Sequence, residues 1–344
     1  MKNYVEYAVQ KTMELLAIDS PTGFTQKVDD YVEQEFSSLG FATKRCNKGG
    51  ILIDLGGKDV NDGLLLQAHA DTIGGMVAEI KSNGRLRMTN LGGMNANNIE
   101  GENCRVYTMQ GDVYEGTFQL CNASLHVNPN YSATSRKYDV TEVVLDELVE
   151  TAEDTRALGI RCGDFICFET RARVTEKGFI KSRFLDDKLS LGILMAFAKY
   201  LKDKELTPAR RLWVHSTVYE EVGHGGSASV PEGVTEVISV DMGCVGDGLN
   251  CTERMVSFCA KDSHGPYSFV INKKLVEAAE KEGASYAVDV YPSYGSDADC
   301  TVTAGYDVRH GVMGPGVYVS HGYERSHKDA VRSTLLTLKG YLGV

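Results

Sequence analysis

Apolar residues recur along this chain with two spacings, and each spacing predicts a different kind of element. An interval of three to four residues is typical of a helix with one buried face. Helices are predicted on this basis at 3–18, 25–40, 145–159, 186–205, 272–283 and 328–342. Short continuous apolar runs, typical of strands buried on both faces, occur at 51–57, 64–71, 211–220 and 236–243. Their alternation with helices predicts an α/β fold with a mostly parallel sheet and helices on both faces.

The segment 73–174 has a different pattern from the rest of the chain. Short β-type stretches punctuated by glycine or asparagine dominate it, as in 84–94 and 104–120. They predict a small β-rich domain, with 145–159 as its single helix. We therefore expect the α/β domain to be formed by residues 1–72 and 175–344, with the β-rich domain, 73–174, inserted between them.

Charge and cysteine usage exclude several classes of function. The formal net charge of −11 argues against nucleic acid and anionic membrane surfaces as partners, because both select basic proteins. The longest apolar run, 189–198, is too short to cross a bilayer. Nine scattered cysteines without a C-x-x-C pair, and an N-terminal segment unlike a secretory signal, predict reduced thiols and a cytoplasmic location.

Carboxylates and imidazoles collect where the predicted strands end and where one helix begins. These residues are His69, Asp71, Asp186, Asp187, Glu220, Glu221, Asp241 and His321. Ligands bind at this edge of an open α/β sheet, and a mixture of imidazoles and carboxylates suits zinc or cobalt. Two cations would make the adjacent Glu220 and Glu221 tolerable, since one could bind metal while the other accepts a proton from metal-bound water. Asp71, two residues beyond His69, could hydrogen-bond the imidazole and fix its tautomer.

Each of these features has a simpler explanation when it is taken alone. An acidic pair at a strand end is usually solvated. The histidine of an H-x-D sequence is more often structural than a metal ligand. Four such clusters, each at a strand end or a strand-to-helix turn, favour a metal site over four separate coincidences.

Seven motifs, in one order and over essentially the whole chain, resemble those of a known family. They are 20-SPTG-23, 69-HADTIG-74, 185-LDDK-188, 220-EEVG-223, the strand-end Asp241, 295-GSDA-298 and a late histidine. In these motifs the chain resembles the TET-type co-catalytic metallo-aminopeptidases, the group that includes glutamyl and deblocking aminopeptidases. The resemblance implies a three-layer α/β/α metallopeptidase domain and an inserted domain that drives dimerisation.

The same resemblance implies a role for each site residue. The implied ligands of two divalent cations are a bridging Asp186 together with His69, Glu221, Asp241 and a late histidine. Glu220 would be the general base, Asp71 would orient His69, and Asp187 would follow the bridging residue through a strained peptide bond. Zinc is the expected metal, with cobalt or manganese as alternatives.

Two histidines compete for the last ligand position. His321 lies 24 residues after Asp297, close to the spacing in the family, whereas His327 would require an insertion of six residues. We therefore favour His321. Departures from the residues common in the family occur at Thr72, Lys188, His224 and Gly225. These departures leave the preferred N-terminal residue of the substrate open.

The expected activity is hydrolysis of the N-terminal peptide bond of short peptides, with a metal-bridged water as nucleophile and Glu220 as general base. The resemblance implies a homo-oligomer built from dimers, up to a dodecamer. One alternative is a related di-metal deacylase or carboxypeptidase that acts on N-acyl amino acids, and another is a non-catalytic assembly scaffold. Paired carboxylates also occur in polysaccharide hydrolases, but such a site needs no histidine ligands.

Overall fold

The computed structural model describes all 344 residues, Met1–Val344. The chain forms two compact units. The first, here called the α/β unit, comprises Met1–Thr72 and Arg171–Val344, and the second, called the barrel unit, comprises Ile73–Thr170. The second boundary therefore lies near residue 170, where the sequence pattern suggested residue 174.

Eight helices and eighteen strands make up the two units. The helices are α1 (Lys2–Leu16), α2 (Gln26–Ser38), α3 (Ala96–Ile99), α4 (Ala152–Ala157), α5 (Leu185–Asp203), α6 (Phe269–Glu282), α7 (Asp297–Thr303) and α8 (Lys328–Leu342). The first nine strands are β1 (Ala42–Arg45), β2 (Ile51–Gly56), β3 (Asp59–His69), β4 (Gly74–Ile80), β5 (Leu86–Leu91), β6 (Asn103–Tyr107), β7 (Val113–Leu120), β8 (Thr141–Leu145) and β9 (Phe165–Phe168). The others are β10 (Arg173–Val174), β11 (Phe179–Ser182), β12 (Arg210–Thr217), β13 (Val234–Val240), β14 (Gly243–Val245), β15 (Val256–Lys261), β16 (Tyr286–Val290), β17 (Arg309–Tyr318) and β18 (Glu324–His327). Two single-turn 3-10 helices, Glu220–Val222 and Gly225–Ser227, follow β12.

The α/β unit is built on one large mixed sheet. At its centre β12, β3, β13 and β17 lie side by side in that order and run parallel. Antiparallel pairs flank this centre, including β2 with β12, β1 with β2 and β15 with β17. The sheet is therefore mixed and not mostly parallel as predicted, although β14 with β17 and β15 with β16 are also parallel pairs. A tight turn joins β1 to β2, with Gly49 and Gly50 both at positive φ, and such a turn can connect only antiparallel strands.

The central strands and α5 form the core of the α/β unit. Residues 63–69 of β3 are all buried, as are residues 185–198 of α5, which explains their continuous apolar sequence. α1 packs closely against α5 at Gly192, where a Cβ atom would lie 2.4 Å from Thr12 Oγ1 and 2.8 Å from the carbonyl oxygen of Ala8. Only glycine allows this approach of the two helices.

Most predicted helices are confirmed to within a few residues at each end. No helix in the structure is both long and apolar enough to cross a membrane. The predicted helix 145–159 is wrong in its first half, because residues 141–145 form β8 and α4 begins only at Ala152. Thr151 caps α4 by accepting a hydrogen bond from the Asp154 backbone, while the Asp154 side chain accepts one from Thr151 in return. This capping box fixes the start of the helix. Helices α3 and α7 were not predicted, so the expectation of a single helix within 73–174 was wrong.

The barrel unit is a closed six-stranded barrel in the order β4-β5-β8-β7-β6-β9. Its interior contains Phe118 and Phe168, fully buried and in edge-to-face contact with ring centroids 6.0 Å apart. Closure pairs every strand on both sides, so this unit has no open sheet edge.

Candidate metal centre

The carboxyl ends of three adjacent parallel strands bring most of the candidate residues together. β3 ends at His69, β12 ends just before Glu220 and Glu221, and β13 ends just before Asp241. Because these strands are parallel neighbours, their carboxyl ends lie at the same edge of the sheet. Asp186, Glu220, Glu221, Asp241 and His321 line one open cavity of about 560 Å³ there.

His69 is held in one orientation by the chain that follows it. Its Nδ1 atom lies 2.8 Å from the backbone carbonyl oxygen of Asp71, to which it donates. Its Nε2 atom therefore faces the cavity, 3.0 Å from Asp186 Oδ1 and 3.8 Å from Glu220 Oε2. The side chain is only 2% exposed. The hydrogen bond predicted between Asp71 and His69 is thus accepted by the Asp71 carbonyl oxygen, which fixes the imidazole tautomer.

The carboxylate of Asp71 has two other partners. It accepts a hydrogen bond of 2.6 Å from the Thr22 hydroxyl and one of 3.2 Å from the Glu220 backbone N–H, while its distance to His69 Nδ1 is 3.7 Å. Thr22 belongs to the 20-SPTG-23 motif, so this early turn reaches the site through Asp71. The Asp71 carboxylate therefore anchors the backbone that carries the paired glutamates.

Asp186 lies between two imidazoles. Its Oδ1 atom faces His69, and its Oδ2 atom lies 3.5 Å from His321 Nε2. Burial acts to raise the pKa of Asp186, but hydrogen bonds from His321 and His69 outweigh it and hold the pKa well below its usual range. The peptide bond from Asp186 to Asp187 is cis. One carboxylate thus presents an oxygen to each side of the cluster.

His321, not His327, joins this cluster. His321 Nε2 lies 3.6 Å from Glu221 Oε2, and the hydrogen bond with Asp186 raises the pKa of His321 to about 10 despite burial. His327 instead caps α8, because its Nδ1 atom accepts the Asp329 backbone N–H at 2.9 Å. Its Nε2 atom lies 2.7 Å from the carbonyl oxygen of Lys177, so both ring nitrogens are engaged outside the cavity.

Asp187 and Asp241 add two buried carboxylates on the His69 side. One carboxylate oxygen from each lies within 4.8 Å of the other and of a His69 nitrogen. Both oxygens of Asp187 are buried without a hydrogen-bond partner. Burial, reinforced by the charge of Asp186, raises the pKa of Asp241 to about 7. A buried carboxylate without a partner is costly, so this side is suited to a cation.

The side chains of the paired glutamates are largely shielded from solvent. Their side chains are only 16% and 4% exposed at Glu220 and Glu221. Burial is the main cause that raises the pKa of Glu221 to about 8, and burial also raises the pKa of Glu220 well above its usual range. The donor set of imidazoles and carboxylates, together with these raised pKa values, fits divalent cations such as zinc.

Three groups of side chains have ligand atoms close enough to hold a metal ion. Two of them share His69, one with Asp186 and Glu221 and the other with Asp187 and Asp241. The third combines Asp262, His264 and Asp299, and two of its members, His264 and Asp299, line the same cavity. Sequence reasoning did not identify this third group, because β15, which ends just before Asp262, was not among the predicted strands.

Two acids that support the site were also missed as functional residues. Asp297, in the 295-GSDA-298 motif, accepts hydrogen bonds from the Thr217 hydroxyl and, at 2.7 Å, from the Gly226 backbone N–H. It therefore ties the end of β12 to the turn after the paired glutamates. Glu324 accepts the backbone N–H groups of Asp186 and His321. The 295-GSDA-298 motif pointed to Asp297, whereas only its position three residues after His321 could have pointed to Glu324.

Comparisons with known proteins show what this chain is similar to. The family profile of the M42 glutamyl aminopeptidases matches residues 49–336. YhfE of Bacillus subtilis (strain 168), a provisionally named aminopeptidase, is 40% identical over 339 residues, which cover 97% of this chain and 98% of YhfE. The glutamyl aminopeptidase of Lactococcus lactis subsp. cremoris (strain MG1363) is 28% identical over 221 residues, 63% of this chain and 61% of that protein.

Solved structures share the fold. The Pyrococcus horikoshii TET1 peptidase superposes with a TM-score of 0.85 at 21% identity, over 97% of this chain and 99% of that one. The family profile spans most of the chain, and one relative is 40% identical along nearly its whole length. This chain therefore belongs to the M42 glutamyl aminopeptidase family and is a peptidase with the fold of the TET aminopeptidases.

Proposed function

We propose that this chain is a di-metal aminopeptidase that removes the N-terminal residue from short peptides. The observation that carries the proposal is the position of Asp186, with one carboxylate oxygen 3.0 Å from His69 Nε2 and the other 3.5 Å from His321 Nε2. A carboxylate that presents one oxygen to each of two imidazoles is suited to bridge two cations. Membership of an aminopeptidase family supports the same activity.

The residues that would hold the cations fall into two sets around Asp186. His69 and Asp241 would complete one set, and Glu221 and His321 the other. Zinc is the expected metal, with cobalt or manganese as alternatives. When bound, the two cations supply Lewis acidity that polarises the scissile carbonyl and lowers the pKa of a water.

Glu220 is the group we propose as general base. Its backbone is fixed by the Asp71 carboxylate, and its side chain reaches within 3.8 Å of His69 Nε2. Burial raises its pKa well above the usual range, which suits a carboxylate that takes a proton from water and returns it to the leaving amine near neutral pH. The charge of the cavity wall, with Asp297 and Asp299 in addition to the proposed ligands, favours a protonated α-amine of the substrate.

The same charge bears on the first alternative activity, removal of acyl groups from N-acyl amino acids or cleavage of C-terminal residues. Those substrates present an α-carboxylate, which the acidic wall of the cavity would repel. A non-catalytic scaffold would not need a buried Glu220 beside the proposed cation ligands. We therefore favour peptides with a free N-terminus as the substrate class.

Assembly into a homo-oligomer is part of the proposal. The Pyrococcus horikoshii TET1 peptidase, which shares the fold, can assemble into a tetrahedron or a large octahedral shell. We propose that the barrel unit, Ile73–Thr170, provides the dimer contact here. Light scattering of the purified chain tests this, and a monomer at micromolar concentration would contradict it.

A panel of aminoacyl anilides, assayed with zinc, cobalt and manganese, tests the activity, with N-acyl amino acids as the competing substrates. Bound metal is counted by mass spectrometry on the same samples. Glu220→Gln is expected to retain two cations and to lose at least a factor of about 100 in kcat, since proton transfer supplies about that much. Unchanged turnover in Glu220→Gln would remove this residue from the role of base, and a wild-type chain that cleaves only N-acyl amino acids would overturn the proposed substrate class.

A further inference from the structure

Glu324 connects the two sides of the candidate metal centre through the backbone. Its carboxylate is only 2% exposed, at the start of β18. One oxygen accepts the Asp186 backbone N–H at 3.1 Å, and the other accepts the His321 backbone N–H at 2.9 Å. A single side chain therefore holds two segments whose own side chains meet 3.5 Å apart in the cavity.

The loop that carries His321 depends on this contact. Both Val319 and His321 have positive φ, 63° and 60°, a conformation that costs free energy for residues other than glycine. Within the loop, the Gly322 backbone N–H donates to the carbonyl oxygen of Val319 at 3.0 Å. The bond from the His321 N–H to Glu324 attaches the same loop to the sheet.

Glu324 itself stands on a rigid element. It pairs with Ser182 of β11, the strand that leads towards Asp186. Ser326, which lies on β18 with Glu324, donates from its hydroxyl to the carbonyl oxygen of Gly316 at 2.7 Å. The backbone of Glu324 is therefore held in place, and its carboxylate sets the backbone positions of Asp186 and His321. A displacement of either backbone would change the distance between the two side chains directly.

We propose that Glu324 is a positioning residue that sets the distance between Asp186 and His321 and so determines cation affinity on the Glu221 side of the centre. The inference rests on the proposed di-metal function. The His69 side has its own support, because His69 is oriented by the Asp71 carbonyl and Asp241 by the end of β13. Loss of Glu324 therefore affects one cation site more than the other.

The chemistry of the side chain provides a sharp substitution. A carboxylate offers an acceptor oxygen to each N–H group, whereas a glutamine of the same shape offers one oxygen and one NH₂ group. In Glu324→Gln one of the two N–H groups would face a donor, so one tie would be lost while the volume is unchanged. Glu324→Ala removes both ties. Glu236→Gln is the matched control, since Glu236 is equally buried on β13 but contacts Arg210, Lys274, Arg309 and Tyr341 instead of the centre.

Equilibrium dialysis with Co²⁺, followed by the visible absorption spectrum of the bound ion, measures each site. We expect two ions per wild-type chain. In Glu324→Gln one affinity should fall by about 10- to 100-fold, with a changed spectrum for that ion. The other affinity, which shares only Asp186, should fall by a clearly smaller factor. Activity of this variant should return as Co²⁺ is raised, and Glu236→Gln should retain both affinities. A crystal structure of metal-free Glu324→Gln should show a changed separation of His321 Nε2 and Asp186 Oδ2.

Two results would overturn the inference while leaving the proposed function intact. One is a Glu324→Gln chain that binds two ions with wild-type affinities and spectrum. The other is an equal loss at both sites, which would indicate general damage instead of positioning. A wild-type chain that binds no cobalt and cleaves no anilide would overturn the proposed function itself, so the two failures are distinguishable. If Glu324→Ala does not fold, the isosteric Glu324→Gln still decides the question.

Discussion

A buried charge cluster away from the candidate metal centre makes the stability of the α/β unit depend on pH. The carboxylate of Glu236, on β13, is fully buried. It accepts hydrogen bonds from Arg210, from Lys274 Nζ and Arg309 Nε at 3.1 Å each, and from the Tyr341 hydroxyl at 2.9 Å. Although burial opposes the effect, these partners lower the pKa of Glu236 from 4.5 to about 2.

The sign of the effect follows from the lowered pKa. The ionised carboxylate stabilises the fold above pH 4.5, and this stabilisation is lost as the pH falls from about 4.5 to about 2. The pKa difference corresponds to roughly 3 kcal/mol. Because Lys274 and Arg309 are about half exposed, solvent screens part of their attraction, and we expect about 2 kcal/mol at pH 7. About half of this contribution should be gone at pH 3.

Urea unfolding of wild type and Glu236→Gln at pH 7 and pH 3 measures this contribution. Trp213, the single tryptophan, lies on β12 close to Arg210 and reports unfolding of the α/β unit by fluorescence. The difference in unfolding free energy between the two proteins should be about 2 kcal/mol at pH 7 and about 1 kcal/mol at pH 3. A difference that is the same at both pH values, or below about 0.5 kcal/mol at pH 7, would refute the reasoning.

Three further predictions concern the site. His321→Ala should lower cobalt affinity at least tenfold, measured by equilibrium dialysis. His327→Ala should leave cobalt affinity unchanged and reduce stability by about 1 kcal/mol, because the α8 cap is lost. Equal effects of the two substitutions on affinity would contradict the choice of His321 as ligand. Thr22→Val removes the hydroxyl that donates to the Asp71 carboxylate, so kcat should fall about tenfold with metal content unchanged, and a wild-type kcat would rule out this link. Lysyl and leucyl anilides should be cleaved with a kcat/KM about tenfold above that of the glutamyl anilide. The reason is that Asp299, together with the acids of the centre, makes the cavity wall repel a glutamyl side chain. Equal values of kcat/KM would contradict this charge argument.

The sequence predicted the parts of the molecule that depend on local pattern. Continuous apolar runs located the central strands, and the ends of those strands located His69, Glu221 and Asp241. Parallel neighbours bring their carboxyl ends to one edge, so convergence of these residues followed from the predicted topology. The flanking antiparallel strands were harder to predict, because several are only two to four residues long and too short to show a period.

Contacts between distant segments could not be predicted in the same way. The carboxylate of Asp297 bonds to a backbone N–H 71 residues away, and that of Glu324 to one 138 residues away. No periodicity records such pairs. The sequence pointed to Asp71 as the partner of His69 but not to the atom that accepts the bond, because the choice between its carbonyl and its carboxylate depends on Thr22, which reaches it from the start of the chain. Helix α7 has only seven residues, too few for a helical pattern to stand out.

The charge of the candidate metal centre favours a cation site over a solvated acidic pair. Asp186, Asp187, Asp241 and His69 are buried there. The side chains of Glu220 and Glu221 are 16% and 4% exposed, and that of His321 is 38% exposed. Even with both imidazoles protonated, five carboxylates leave three negative charges, and each uncompensated buried charge costs several kcal/mol. Solvation cannot remove this cost at Glu221, whose side chain is 4% exposed. Without cations the site must retain protons, as the raised pKa values of Glu221 and Asp241 indicate. Two divalent cations carry four positive charges and would allow all five carboxylates to ionise, which is the physical reason for the metal centre that we propose.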